Sequence, residues 1–442
     1  MDFSLYPAFA KTKIREEKSM QTQPAADLAG WQVQFAGVLS AEDVASDASR
    51  AGFGERNRKL TPLRLLLTLV FGWGVEEQRT LSSLRRFFTA VTGIAVVSSA
   101  FQTRFTAAAV DFLKRIYERL LARLDSVKGG LPMGLRRFKD VLAIDGSVIT
   151  LRDKLARHFR ACRTNHSQAA LKLHAVMSLR DNAVVELATK SERFSERRFL
   201  NRFVPTFAGR LLLFDLGYFK HQFFERLVKA GAFFVSRLKD SSNPTIVEVK
   251  RGIRATKAAV GTRLDDNDFE GPVVEALVRL GEAGTTVFRI VGLRFPGTDE
   301  YRFYLTNLLG IEFTAEDIAG IYTRRWQIEL LFKELKSLCR IDQLPSAKPN
   351  TVLCLIYASL IAVLVSRLFA AAAEQMKTTT KRIRRTIVTK CLGHFARELA
   401  AAFLQGGEAL RSVVSQFVRL LESAAPDPNI RRCQNRLGVI TH

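Results

Sequence analysis

Two apolar runs of strand length each close on an aspartate: Val141-Leu-Ala-Ile before Asp145, and Leu211-Leu-Leu-Phe before Asp215. Short unbroken apolar runs belong to strands covered on both faces. An acid that ends such a strand lies at the carboxyl edge of a sheet, where open α/β sheets bind ligands. Between and after these runs, KLHAVMSLRDNAVVELAT reads as two strands joined near Asp181-Asn182, and AFFVSRLK as a further strand. A helix runs through Phe223, Leu227 and Val228. The chain is therefore predicted to be α/β, a mixed sheet with flanking helices. Taken singly, Asp145-Gly146-Ser147 and Asp215-Leu216-Gly217 also read as turns in which the acid binds local backbone. Two acids at one sheet edge say more, because like charges held close repel unless a cation is shared.

The rest of the chain is arranged around this core. Residues 1–26 are mixed and polar and are predicted to be flexible. From 27 to 130 the pattern is helical, with Thr61 as N-cap and Pro62 at the first helical position. Amphipathic segments such as TLSSLRRFF and FTAAAVDFLKRIYERLLARL carry Arg and Lys on their polar faces. Gly129-Gly130, Pro132 and Gly134 mark a boundary. Core residues 136–240 follow, then a β-rich insertion at 241–310, a second part of the core at 311–370, and a helical region at 371–442. Residues 377–442 hold 12 Lys and Arg against 4 Asp and Glu, including KRIRR at 381–385.

Over all 442 residues, 67 Lys and Arg face 43 Asp and Glu, a net charge of +24. Such an excess calls for a polyanion, nucleic acid or an anionic membrane surface. The most membrane-like stretch, Val352 to Val365, is shorter than a bilayer span and predicts a buried helix, which disfavours the membrane. The N-terminus lacks the apolar core of a signal peptide, and five scattered cysteines without C-x-x-C argue against disulfides or structural zinc. The expected location is a reducing cytoplasm. No phosphate-binding loop, dinucleotide fingerprint or G-x-S-x-G is present. His158, His166 and His174 lie too far apart in sequence to suggest a zinc site.

The sharpest motif follows the insertion. Thr314 and Asp317 start a predicted long helix in which Tyr322, Arg325, Glu329 and Lys336 recur near whole turns. One strip would carry a phenol, a guanidinium, a carboxylate and an ammonium, while Trp326, Ile328, Leu330, Leu331 and Leu335 suggest a buried face. Without further context the strip also reads as a solvated surface with an i,i+4 ion pair.

Y-x2-R-x3-E-x6-K after two strand-end aspartates resembles the signature of the DDE transposases of the insertion-sequence-four family, over about residues 138–370. The resemblance implies a ribonuclease H-like core. It further implies that Asp145, Asp215 and Glu329 are catalytic and hold two Mg²⁺ ions, with Mn²⁺ able to substitute and Asp145 bridging both. Tyr322, Arg325 and Lys336 would grip phosphates near the transposon end. Trp326 resembles the family tryptophan near the distorted terminal bases, but reads equally as a buried helix residue. Arg237 and Lys239 are candidate phosphate contacts or ordinary strand-edge charges. The implied activity is cut-and-paste transposition in bacteria on double-stranded DNA, at terminal inverted repeats and target, by a homodimer. In this scheme the N-terminal helices read the ends and the C-terminal helices support dimerisation. The alternatives are a transposase-derived DNA-binding protein without catalysis and a structure-specific nuclease.

Overall fold

A computed structural model describes residues 39–54, 59–74, 80–126, 131–162, 167–192, 200–201, 203–254, 256–282, 284–310, 312–376 and 383–425. The predicted flexible N-terminus at 1–26, Gly129-Gly130, His166, Cys433 and the first two residues of KRIRR lie outside the described residues.

The chain opens with helices α1 (Ala41–Arg50), α2 (Pro62–Leu67), α3 (Leu81–Thr92), α4 (Ser98–Gln102) and α5 (Ala107–Ser126). The Thr61 hydroxyl accepts the Arg64 N–H, so Thr61-Pro62 starts α2 as expected. A π-helical segment, Thr68–Trp73, prolongs it. Then come β1 (Val141–Leu151), β2 (Ala169–Ser178), β3 (Ala183–Ser191), β4 (Leu211–Phe214), α6 (His221–Lys229) and β5 (Phe233–Arg237). The β-rich region supplies β6 (Thr245–Arg251), α7 (Thr256–Ala259), β7 (Val273–Arg279), β8 (Val287–Arg294) and β9 (Tyr301–Thr306). Helices α8 (Ala315–Thr323), α9 (Trp326–Ser337), α10 (Pro349–Met376), α11 (Arg385–His394), α12 (Ala396–Gln405) and α13 (Gly407–Ala424) complete the described chain.

The nine strands form one sheet in the order β3-β2-β1-β4-β5-β9-β8-β7-β6. β1, β4 and β5 run parallel, and every other pairing is antiparallel. The five strands β3, β2, β1, β4 and β5 form the predicted mixed sheet. The predicted hairpin at Asp181-Asn182 joins β2 to β3, with Asn182 at φ 54°, a left-handed turn conformation that Asn tolerates. The β-rich insertion joins the core edge to edge. β9 pairs with β5 through Val235–Thr306, Ser236–Leu305 and Arg237–Tyr304, so the region continues the core sheet.

One face of the sheet, through Ala143, Ile149, Leu171, Leu173 and Ala175, shares a single hydrophobic core with α5, α9, α10 and the C-terminal helices. Leu65, Phe71, Trp73 and Phe88 of the N-terminal helices sit in that same core. The opposite face, through Ile144, Leu212, Phe214 and Phe234, packs on Phe223, Phe224 and Leu227 of α6. A third cluster joins β4, β5 and β8 to α8 through Leu213, Val235, Val291, Ile318 and Ile321.

Helix α10 is longer than its apolar sequence core suggested. Pro349–Glu374 is long and apolar enough to cross a membrane, but 94% of its most apolar window is buried inside the protein. The end of the π-helical segment approaches it so closely that a Cβ on Gly74 would lie 2.5 Å from the Ala362 Cβ. Gly74→Ala is expected to cost about 1–3 kcal/mol through overpacking, measured as a lower denaturant midpoint.

The basic face of α5 is largely neutralised within the chain. Lys114 pairs with Glu118, Arg115 with Asp111, and Arg119 and Arg123 with Asp43 of α1. Arg119 also reaches Asp47 at 2.7 Å.

Candidate active site

Parallel pairing of β1 with β4 ends at Ile144 and Phe214, which are register partners. Asp145 and Asp215 are the next residue on each strand, so both carboxylates sit where the two chains diverge. β1 does not end at Asp145, as its sequence suggested. It runs on to Leu151, held by antiparallel pairing to β2 alone. Asp145 shares a sheet face with Ala143, the face that α9 covers. Asp215 follows β4 directly and leads into a 3₁₀ turn, Leu216–Tyr218.

The helix expected from Thr314 is two helices. Its start is as predicted: the Thr314 hydroxyl accepts the Asp317 N–H at 3.1 Å, and Asp317 accepts the Thr314 N–H at 2.9 Å. α8 stops at Thr323, and the link to α9 is held by i→i+3 bonds, Arg325 N–H to the Tyr322 carbonyl and Ile328 N–H to the Arg325 carbonyl. Tightening to three residues per turn stacks Arg325 over Tyr322, with the guanidinium carbon 5.6 Å from the ring centre. The apolar side of α9 also differs from expectation. Ile328, Leu331 and Leu335 are buried, whereas Trp326 and Leu330 are each 41% exposed, one turn apart beside the site.

Arg325 gathers the acids. Its Nη1 lies 3.5 Å from Asp145 Oδ2, and its Nη2 donates to Glu329 Oε1 at 2.5 Å. The Tyr322 hydroxyl donates to Asp215 Oδ1 at 3.3 Å. Gly146 N–H donates to Asp145 Oδ1 at 2.7 Å. Burial pushes the Asp145 carboxyl up to about 6, with Glu329 and Asp215 adding to the rise, while the Gly146 N–H and Arg325 oppose it. Burial also raises the Tyr322 phenol above its usual range, so it stays a proton donor to Asp215. Burial works against the charge on Arg325, but Tyr322 and the three acids more than offset it.

Arg237, at the end of β5, belongs to the same neighbourhood, since its charge acts on the Tyr322 phenol. The buried Nε atoms of Arg237 and Arg325 have no acceptor among the described residues. Lys336 lies two turns beyond Glu329 on α9, half-buried, and Lys239 is exposed in the loop after β5. Neither makes an ion pair among the described residues, and neither joins the acid cluster. The Gly146 N–H is the local backbone that the sequence offered to Asp145, whereas sequence reasoning passed over Tyr304, whose ring lies 5.3 Å from that of Tyr322. Only the register of β9 on β5 could have brought Tyr304 forward.

Among the described residues, no three acid, histidine or cysteine side chains lie close enough to hold one metal ion together. The donor set nevertheless suits a hard divalent cation, three carboxylates without a histidine or thiol. A positive charge already stands between two of them, that of Arg325.

Residues 136–365, more than half of the chain, match the family model described as transposase DDE domain. The transposase for insertion sequence element IS1151 of Clostridium perfringens is 23% identical over 84% of this chain and 88% of its own. The putative transposase InsL for insertion sequence element IS186A of Escherichia coli is 44% identical over 30% of each chain. A solved piggyBac transposase synaptic complex with hairpin DNA aligns at a TM-score of 0.47 and 8% identity, over 90% of this chain and 86% of that one. The chain belongs to the DDE-domain transposases, and the relatives named for insertion sequences place it with those of bacterial insertion elements.

Proposed function

We propose that this protein is a cut-and-paste transposase that hydrolyses phosphodiesters at the ends of its element and joins the freed 3′-hydroxyls to target DNA. The observation that carries the reading is the convergence of Asp145, Asp215 and Glu329, from two strands and one helix, around the buried charge of Arg325. Acids gathered in a half-buried site repel unless a cation neutralises them. Asp145, Asp215 and Glu329 would hold two Mg²⁺ ions, or Mn²⁺, which when bound neutralise the attacking and leaving oxygens of a phosphodiester.

The chain's own groups then have separate tasks. Gly146 N–H and the Tyr322 hydroxyl each occupy one oxygen of an aspartate and leave the other oxygen directed by that hydrogen bond. Arg325 and Arg237 place guanidinium charge beside the acids, suited to neutralising phosphate oxygens there. Trp326 exposes an indole next to Arg325, suited to stacking on a terminal base. Lys336 adds a charge further along the DNA backbone, with Lys239 a more distant candidate. The net charge of +24 supports binding to element ends and target alike. With α5 largely self-neutralised, the N-terminal surface that would read the repeats lies on other helices, such as α3 with its exposed Arg86. Transposition in a bacterial cytoplasm, by a homodimer that synapses two ends, completes the proposal.

An excision assay tests it. A plasmid carries the gene with its native flanks, encoding either the wild type or Glu329→Gln. Excision by the wild type, lost in the variant while flank binding persists, is the expected result. Binding without excision in both proteins would instead identify a DNA-binding relative that has lost catalysis, and equal excision would refute the role of Glu329. In titrations of end DNA against salt, Lys336→Ala is expected to reduce the slope of log K on log salt by about one phosphate contact.

A further inference from the structure

Arg367 is the sole charged residue between Pro349 and Ala373 of the apolar helix α10. Its guanidinium is 4% exposed on the side chain and is forked onto Glu334 of α9, itself 3% exposed. Nη1 donates to Glu334 Oε1 at 3.2 Å, and Nη2 to Glu334 Oε2. The Thr389 hydroxyl of α11 donates to the same Oε1 at 2.6 Å and lies 3.0 Å from the Ser366 hydroxyl. Arg367 Nε donates to the carbonyl of Asn182, in the β2–β3 turn. One buried cluster thus joins the catalytic sheet, the helix of Glu329, the core helix and the C-terminal region.

We propose that Glu334, Arg367 and Thr389 are positioning residues that set the register of α9 along the sheet and so the place of Glu329 opposite Asp145. The proposal rests on the reading of Glu329 as a catalytic carboxylate. Apart from the Arg325 ion pair that ties its first turn to Asp145, α9 packs on its neighbours through apolar side chains including Ile328, Leu331, Phe332 and Leu335, and apolar contact is non-directional. Those apolar contacts alone would let the far end of the helix slide or rotate at small cost. A forked ion pair buried in an apolar surround has one good geometry, and every departure from it strands a charge. Apolar side chains of similar volume often stabilise as well as a buried pair. What they lack is this single register. Glu334 lies five residues, about 7.5 Å of helix rise, from Glu329, so a shift at one is passed along a rigid helix to the other.

The test separates register from stability. In the full chain with Cys162→Ser and Cys433→Ser, spin labels are placed at the exposed Lys333 on α9 and Thr150 on β1, through Lys333→Cys and Thr150→Cys. Distance distributions are compared between this background and Glu334→Met/Arg367→Leu, alongside single-turnover cleavage of a pre-bound DNA end over a Mn²⁺ titration. The double variant is expected to keep its melting temperature. Its label distance should broaden or move by at least about 1.5 Å, one residue of helix rise. Its cleavage rate should fall about 10²-fold, the scale of a 1 Å misplacement, with DNA affinity unchanged.

An unchanged distance distribution overturns the proposal whatever the rate, and a changed distribution with an unchanged rate overturns its link to Glu329. If the double variant fails to fold, Thr389→Val takes its place. It removes one hydroxyl from Glu334, and a change in the distance distribution together with a fall in cleavage rate is required of it. Because the distance is read without catalysis, a wild type that cuts no DNA defeats the transposition reading and leaves the register measurement able to decide.

Discussion

Cleavage of element ends by Asp145→Asn protein is expected to fall by at least about 10³-fold, some 4 kcal/mol of barrier, while end binding stays within a few-fold of wild type. Asparagine keeps the volume of the side chain and an oxygen for the Gly146 N–H, but it removes the charge that Asp145 would need to hold a hard cation under the proposed reading. The same residue sets a pH dependence in the wild type. Its carboxyl is pushed up to about 6, chiefly by burial and further by Glu329 and Asp215. A raised folded-state value means that the protonated form favours the fold. That contribution is present below the ordinary carboxylate range and is lost as pH rises through about 6. The ionised form needed for chemistry is gained over the same interval. At Mg²⁺ concentrations below saturation, cleavage should therefore drop towards tenfold per pH unit below about 6. Single-turnover rates between pH 5 and 8 measure both effects. A rate flat through that window, or an Asp145→Asn enzyme within tenfold of wild type, would remove Asp145 from the chemistry.

Arg367→Met is the substitution expected to cost most in stability, about 3–5 kcal/mol, because it leaves the Glu334 carboxylate buried without its counter-charge. The partner that remains, the Thr389 hydroxyl, supplies one hydrogen bond and no charge. Chemical denaturation followed by tryptophan fluorescence gives the loss. The control is Glu334→Met/Arg367→Leu, which strands no charge and should recover most of the stability. If the single and double variants were equally unstable, lost packing volume rather than the unpaired acid would be the cause.

The acids of the site were legible because their cues are local. Asp145 and Asp215 each follow an apolar run, and Tyr322, Arg325 and Glu329 recur at helical spacing. Sequence did not show that β1 continues past Asp145, because only pairing with the distant β2 holds residues 146–151 extended. Nor did it show that the β-rich region joins the core sheet, which depends on β9 meeting β5 across some seventy residues. The break between α8 and α9 contains neither Gly nor Pro, the usual local signals. Leu330 looks like a core residue by type, yet it points outward beside Trp326, where DNA would lie under the proposed reading. Glu334 reads as one more surface charge until α10 and α11 close over it. Arg367 alone carried a hint, a single cation in a long apolar helix.

The burial of α10 bears on which shortened forms of this chain could stay soluble. Its apolar surface is covered by α5, the π-helical segment and the C-terminal helices, so the N-terminal region and the catalytic sheet are halves of one solubility unit. A shortened translation product that began after the first helices would display a greasy rod of membrane-spanning length to the cell. Such a fragment would be drawn to chaperones, proteases or the bilayer before it could compete for transposon ends. Under the proposed reading, a soluble inhibitor made by internal initiation past these helices is not expected from this architecture.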